Sequence, residues 1–401
     1  FHSEILERLT YLFFIVIIEL TAFHPMPTSL DPYLILCILL TSGCGANKSD
    51  NYIRVHDPTT IRNFDGKYML FSTTGGSDDK GIKARYYSAE KGIWLAANDV
   101  LSEKNTPEWL KSLYPDNREK FWAPDLPFPD RKIMYFSTWS FSGQDGVASI
   151  GRAVGTGTTP NIDWVDDGKP VVSTDKYTYD NGGPCAIDPS VFEDYVGHLW
   201  LSFGSHGLEG APGYGGIWIV ELDPETGHIP VSADPVWTPK NPAYTHLANY
   251  GDTEYTENNV EAPFIYKNNG FYYLFVNWDR CCNGVDSDYR ILVGRSKSPI
   301  GPYMDKTGKS MFDGGGSLVL ESEGRFIGPG HAGIFQDEAG KYCFSFHYYD
   351  SEDDGRAKLG LRELVWNDNW PVVTSKTYKL TEFAFETSLP AGLTRPPHDG
   401  E

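Results

Sequence analysis

Five copies of one strand-and-turn pattern run through this sequence and constrain its fold more than any other feature. Residues 65–73 (DGKYMLFST) run almost in parallel with residues 130–138 (DRKIMYFST). Looser copies follow at 197–203 (GHLWLSF), 270–276 (GFYYLFV) and 340–346 (GKYCFSF). Nine residues before Gly66, Arg131, Gly197, Gly270 and Gly340 stand Asp57, Trp122, Asp188, Glu261 and His331. The strand stays apolar in each copy, whereas the upstream position holds three carboxylates, a Trp and a His. One scaffold strand used five times aims five different side chains at one place.

Each copy reads as strand, turn, strand. In the first, residues 59–62 are β-rich, Asn63-Phe64-Asp65-Gly66 is a turn signal, and residues 67–73 form the next strand. Asn268-Asn269-Gly270 and Glu338-Ala339-Gly340 repeat that turn chemistry. The upstream positions are spaced by 65, 66, 73 and 70 residues, room for a four-stranded blade with long loops. Five such units predict an all-β, five-bladed β-propeller with one continuous core over residues 51–387. In a propeller the innermost strands line a central channel, so residues at their starts converge on one rim. An aromatic content of 14% and 41 glycines agree with an all-β chain rich in turns. The strand pattern continues past Asp350, over residues 358–366. Gly155-Thr156-Gly157 is followed by no helical pattern and is not a nucleotide fingerprint.

The net charge of −20, with no basic stripe, excludes a nucleic-acid partner and favours a neutral or cationic ligand. The six cysteines (37, 44, 185, 281, 282 and 343) include no pair at zinc-binding spacing. They read as buried thiols, Cys281 and Cys282 being awkwardly adjacent for a bond between them. The apolar runs 11–18 and 33–40 are each shorter than the ~20 residues of a spanning helix. The second leads into Leu40-Thr41-Ser42-Gly43-Cys44, which resembles a bacterial lipoprotein signal with Cys44 as the acylated residue. Residues 1–50 are therefore expected to be an export signal and linker, and residues 388–401, rich in Pro and Gly, a loose tail. Gly204 to Gly216 is a Gly-dense candidate rim loop.

Three carboxylates at one rim raise each other's pKa, and burial adds to this. Ion pairing alone predicts Arg or Lys at the neighbouring repeat positions, yet Trp122 and His331 stand there. Two opposed carboxylates are the minimum apparatus for hydrolysing a glycosidic bond: one protonates the leaving oxygen, the other activates water or attacks. A third can keep the acid protonated and oriented. Trp122 offers a flat face for a sugar ring.

Several strings carry a family resemblance. Val55-His56-Asp57-Pro58, Trp122-Ala123-Pro124-Asp125, Ala186-Ile187-Asp188-Pro189-Ser190 and Val260-Glu261-Ala262-Pro263-Phe264 resemble the signature of glycoside hydrolase family 43. Asp279-Arg280-Cys281-Cys282-Asn283-Gly284, Gly328-Pro329-Gly330-His331-Ala332-Gly333 and Phe346-His347-Tyr348-Tyr349-Asp350 are similar to its endo-α-1,5-L-arabinanase branch. The resemblance implies an inverting mechanism on arabinan, with Asp57 as general base, Glu261 as general acid and Asp188 as the carboxylate that raises and orients the acid. It also implies that His331 helps to hold a central metal, usually calcium, largely through waters. The loop from His206 to Gly210 departs from the aromatic-rich loop common in that branch and bears on the subsites.

The reading is thus an exported, monomeric endo-arabinanase acting on plant cell-wall arabinan or arabino-oligosaccharides, touching a membrane only through a lipid at Cys44. Its rivals are an exo-acting α-L-arabinofuranosidase or β-xylosidase on the same fold, and a catalytically silent glycan-binding propeller.

Overall fold

The computed structural model describes residues 53–380, apart from 76–78, 103–104, 118, 140–147, 176–177, 179–182, 206–214, 231–236, 238–242, 250–259 and 338. The expected signal over 1–50 with Cys44, the tail over 388–401 and most of the rim loop lie outside the described residues. Among the described residues no helix is long and apolar enough to cross a membrane.

Five antiparallel sheets follow one another along the chain, each with its strands in sequence order. Blade 1 holds β1 (Arg62–Phe64), β2 (Lys67–Ser72), β3 (Lys83–Ser88) and β4 (Ile93–Ala96). A short helix, α1 (Glu108–Leu113), leads to blade 2: β5 (Trp122–Asp125), β6 (Ile133–Trp139), β7 (Ala148–Thr158) and β8 (Asn161–Asp166), with β9 (Val172–Thr174) also paired to β7. Blade 3 holds β10 (Ser190–Glu193), β11 (Leu199–Phe203), β12 (Ile217–Leu222) and β13 (Tyr244–Ala248). Blade 4 holds β14 (Val260–Asn268), β15 (Phe271–Trp278), β16 (Arg290–Ser296) and β17 (Ser317–Leu320). Blade 5 holds β18 (Phe326–Gln336), β19 (Tyr342–Asp350), β20 (Arg356–Asn367) and β21 (Trp370–Thr377). The sheets are arranged as a five-bladed β-propeller, and the repeated apolar strand is the second strand of each blade.

The alternation of a β-strand explains why that repeat is apolar throughout. Successive side chains point to opposite faces, and here each face meets another blade. In β2, Met69 and Phe71 pack toward blade 2, while Tyr68 and Leu70 pack toward blade 5. In β15, Tyr272, Leu274 and Val276 face blade 3, while Tyr273 and Phe275 face blade 5. The core accordingly divides into five clusters, one at each junction between neighbouring blades. Each large side chain fully buried there contributes roughly 1.5–3 kcal/mol of apolar transfer.

The ring is closed by the chain just before blade 1. The Val55 N–H donates to the Ala357 carbonyl at 3.3 Å, and the Leu359 N–H donates to the Ile53 carbonyl at 3.0 Å. This segment thus extends blade 5 along β20, and Val55 packs with Leu359 in the junction between blades 5 and 1.

Two glycines set the depth of packing. Phe136 in β6 lies opposite Gly151 in β7, and Phe346 in β19 lies opposite Gly360 in β20. A Cβ at Gly151 would meet the Phe136 ring at 2.3 Å, and one at Gly360 would meet the Phe346 ring at 2.5 Å. The far end of each ring sits against its glycine, where an added methyl must displace a fully buried Phe. We expect Gly360→Ala to lower the unfolding free energy by about 1–3 kcal/mol, the usual cost of overpacking. Chemical denaturation followed by tryptophan fluorescence measures it, and an unchanged midpoint would show that the ring moves freely.

Candidate active site

The site is built on a backbone conformation that recurs once per blade. In or shortly before the first strand of each blade one residue lies in the left-handed region: Asp57 (φ 46°), Ala123 (42°), Asp188 (56°), Ala262 (51°) and His331 (59°). Asp57, Asp188 and His331 occupy the positions expected from the sequence. In blades 2 and 4 the repeated position falls one residue later, on Ala123 and Ala262 rather than on Trp122 and Glu261. The ladder shifts register there, between Trp122 and Asp125 and between Glu261 and Phe264. The count back from Arg131 and Gly270 is therefore eight to the left-handed residue, not nine.

Each left-handed residue turns its N–H toward the preceding blade, where a side chain accepts it. Asp57 N–H donates to His347 Nδ1 at 3.2 Å. Ala123 N–H donates to Thr73 Oγ1 at 3.0 Å, and Asp188 N–H donates to Ser137 Oγ at 2.9 Å. His331 N–H donates to Asn277 Oδ1 at 2.9 Å. Thr73, Ser137, Asn277 and His347 occupy matching places in or just past the second strands of blades 1, 2, 4 and 5. In blade 3 that place is Gly204, which has no side chain, and a Cβ there would meet the Gly216 carbonyl at 2.1 Å. Asp188 supplies the missing acceptor: its Oδ2 takes the Ala262 N–H at 3.0 Å. These four side chains escaped the sequence reading, although they recur six or seven residues beyond the turn of each repeat.

Asp57 is surrounded by imidazoles. Its Oδ2 accepts from Thr73 Oγ1 at 2.6 Å and lies 2.8 Å from His56 Nδ1. Its Oδ1 faces His331 Nδ1 at 3.5 Å and His347 Nδ1 at 3.7 Å. Burial opposes its charge, but His56 and His331 outweigh burial and hold Asp57 well below the usual carboxylate range. The same contacts raise His56 and His331 against their own burial. Burial and the neighbouring His56 push His347 well down, so it stays neutral.

Glu261 and Asp188 form the opposite pole. Glu261 accepts from Tyr289 Oη at 2.5 Å and from Ser205 Oγ at 2.7 Å, and all three groups are buried. Burial, then the neighbouring Glu261, pushes Asp188 up to about 8. Two buried carboxylates that repel each other cannot both ionise at neutral pH, so the pair retains a proton.

Asp57, Asp188, Glu261 and Trp122 line one cleft of about 700 Å³. Trp139 stands beside Trp122, ring centroids 6.0 Å apart, and with Ile187 makes an apolar wall. Across from it stand His56, Tyr289, Tyr349, Cys281 and Cys282. Trp139 and Tyr349 each lie two residues beyond Ser137 and His347, on the same strand face, the signal that would have found them. The cysteine reading needs correction. Cys185 and Cys343 are free and buried as expected, but Cys281 and Cys282 are joined to each other, neither fully buried. His331 does not line the cleft; it sits behind Asp57.

Calcium takes six to eight oxygen ligands. In direct reach of His331 is the carboxylate of Asp57, flanked by the imidazoles of His56 and His347, while Asp188 and Asp125 act on His331 from further off. They do not form a direct calcium shell, and only an ion that keeps its waters is compatible with this donor set.

The chain matches the family model for glycosyl hydrolases family 43 over residues 52–371. It belongs to glycoside hydrolase family 43. The family 43 chain is 33% identical over 321 residues to an extracellular endo-α-(1→5)-L-arabinanase of Bacillus subtilis, covering 79% of this chain and 87% of that one. It is 31% identical over 360 residues to an extracellular exo-α-(1→5)-L-arabinofuranosidase of Cellvibrio japonicus, covering 86% and 92%. Among solved structures, an α-L-arabinanase of Cellvibrio cellulosa complexed with arabinohexaose superposes with a TM-score of 0.66 at 28% identity, covering 80% and 96%. This family 43 protein is thus a glycosidase whose relatives act on arabinan.

Proposed function

We propose that this chain is an exported, monomeric arabinanase that hydrolyses internal α-1,5-L-arabinofuranosidic bonds of arabinan with inversion. The observation that carries the reading is one cleft in which an ionised Asp57 faces a proton-retaining Asp188–Glu261 pair beside Trp122. In this reading Asp57 takes a proton from water as the oxygen attacks the anomeric carbon. Glu261 gives its proton to the leaving oxygen as the glycosidic bond breaks, and a single displacement inverts the centre. Asp188 keeps that proton on the pair, Tyr289 and Ser205 orient Glu261, and Trp122 carries a sugar ring. Export accords with the extracellular relatives. A hydrated calcium ion beside His331 belongs to the same reading and takes no part in these steps.

The endo mode is supported by the endo-acting relative at 33% identity. The exo-acting relative at 31% supports a second reading, an arabinofuranosidase that releases monomer from chain ends. Products formed early from linear α-1,5-arabinan separate the two: a ladder of oligomers is expected, and monomer alone from the first time point would exclude the endo mode.

Glu261→Gln should lower kcat by roughly 10²–10⁴-fold, the usual contribution of a general acid. Undiminished turnover would show that Glu261 is not the general acid, and arabinan binding without turnover by the unaltered protein would leave a glycan-binding propeller. kcat/KM should be bell-shaped in pH, its upper limb marking loss of the proton from the Asp188–Glu261 pair. Asp188→Asn removes the carboxyl whose repulsion keeps a proton on the pair, so Glu261 loses its proton at lower pH and the upper limb moves down. An unmoved upper limb would end the modulating role of Asp188. Elemental analysis of the purified protein tests the metal, and a metal-free protein with full activity would remove it.

A further inference from the structure

We propose that the Cys281–Cys282 disulfide positions Asp57, so that reducing it reversibly slows the reaction assigned above. The inference rests on that functional reading. The two half-cystines line the cleft beside His56, Asp57 and Tyr349. Cys282 lies at φ 68°, in the left-handed region that side-chain-bearing residues avoid. That conformation aims its N–H at Tyr349 Oη, 2.7 Å away. Tyr349 Oη lies 2.8 Å from His56 Nε2, and His56 Nδ1 lies 2.8 Å from Asp57 Oδ2.

Donor chemistry fixes the direction of this chain when His56 is neutral. The Asp57 carboxylate can only accept, so neutral His56 keeps its hydrogen on Nδ1 and accepts from the Tyr349 hydroxyl on Nε2, while the Tyr349 oxygen accepts from the Cys282 N–H. The imidazole thus donates its Nδ1 hydrogen to Asp57. A bond between adjacent cysteines closes a small ring through their shared peptide and freezes both backbones. Opening the ring frees Cys282 to leave the left-handed region, and its N–H then turns away from Tyr349. His56 loses a contact that fixes its tilt, and Asp57 loses a fixed donor. The Cys282 sulfur, 3.7 Å from His56 Nε2, moves with it.

The redox step balances with a dithiol. Dithiothreitol reduces the S–S bond to two thiols and is itself oxidised to its cyclic disulfide; glutathione disulfide reverses the change. In the oxidising compartment expected of an exported protein the bond is formed.

The experiment is steady-state kinetics on linear α-1,5-arabinan with oxidised, reduced and reoxidised full-length protein, thiols being counted in parallel. Reduction should expose two further thiols and lower kcat roughly tenfold, the scale of one oriented hydrogen bond to a charged group, with KM changed much less. Reoxidation should restore kcat. Tyr349→Phe breaks the same chain without touching the disulfide, so it should lower kcat alone and leave reduction with no further effect. Equal kcat for oxidised and reduced protein overturns the proposal, as does an undiminished loss on reduction in Tyr349→Phe. Failure of the oxidised protein to cleave arabinan, seen before any reductant is added, overturns the arabinanase reading instead.

Discussion

The ring of backbone donors around the channel is the constraint on which the site depends. Five residues stand in a backbone region that costs about 1–3 kcal/mol each to occupy. Such positions persist only where their surroundings hold them, and here each N–H is held by an acceptor on another blade. Thr73, Ser137, Asn277 and His347 supply four acceptors, and Asp188 supplies the fifth. The bonds pass from blade to blade around the whole ring. Each of them fixes both the rotation of a blade and the exit direction of a side chain aimed at the cleft. The glycine at 204 makes the ring chemically useful, because its lack of a side chain gives a carboxylate that task.

Asp188 therefore serves two ends that pull in opposite directions. Accepting the Ala262 N–H favours its charged form, while burial and Glu261 favour the neutral form, and the second pair of effects prevails. Asp57 meets the reverse balance, with burial overcome by His56 and His331. One cleft thus holds carboxyl groups whose environments drive their pKa values apart, the condition for acid and base to coexist at one pH. Neither shift needs a distant charge. Both follow from burial and from the charged groups that the first strands and their neighbours place around each carboxyl.

Much of this was readable in the sequence because the repeat carries two signals at once. The apolar run of residues 67–72 and its copies reports a strand buried on both faces, and five of them fix the number of blades. The upstream residue reports the site, since a scaffold position that varies among Asp, Trp, Glu and His is not chosen for packing. What failed is instructive. A fixed count along the chain does not locate the left-handed residue in every blade: Trp122 and Glu261 precede it by one, although the ladder shifts register around His331 as well. The pairing of residues 53–55 with β20 leaves no local pattern, because its partner lies some 300 residues away. The bond between Cys281 and Cys282 is silent for a related reason. It goes with a left-handed residue whose N–H meets Tyr349, a contact that only the folded ring creates.

The same geometry separates the chemistry from the choice of where to cut. The three carboxylates and Trp122 stand in or just before the first strands, and their hydroxyl donors lie in or beside the second and third strands. Whether a polymer runs through the cleft or stops in it depends on what stands at the cleft's ends. Relatives 33% and 31% identical to this chain, each covering at least four-fifths of their own length, are named for internal and terminal attack respectively. A shared core with divergent modes of attack is what such a division of labour entails. The reacting groups are tied to a ring that tolerates little change, and specificity is left to segments that the ring does not hold.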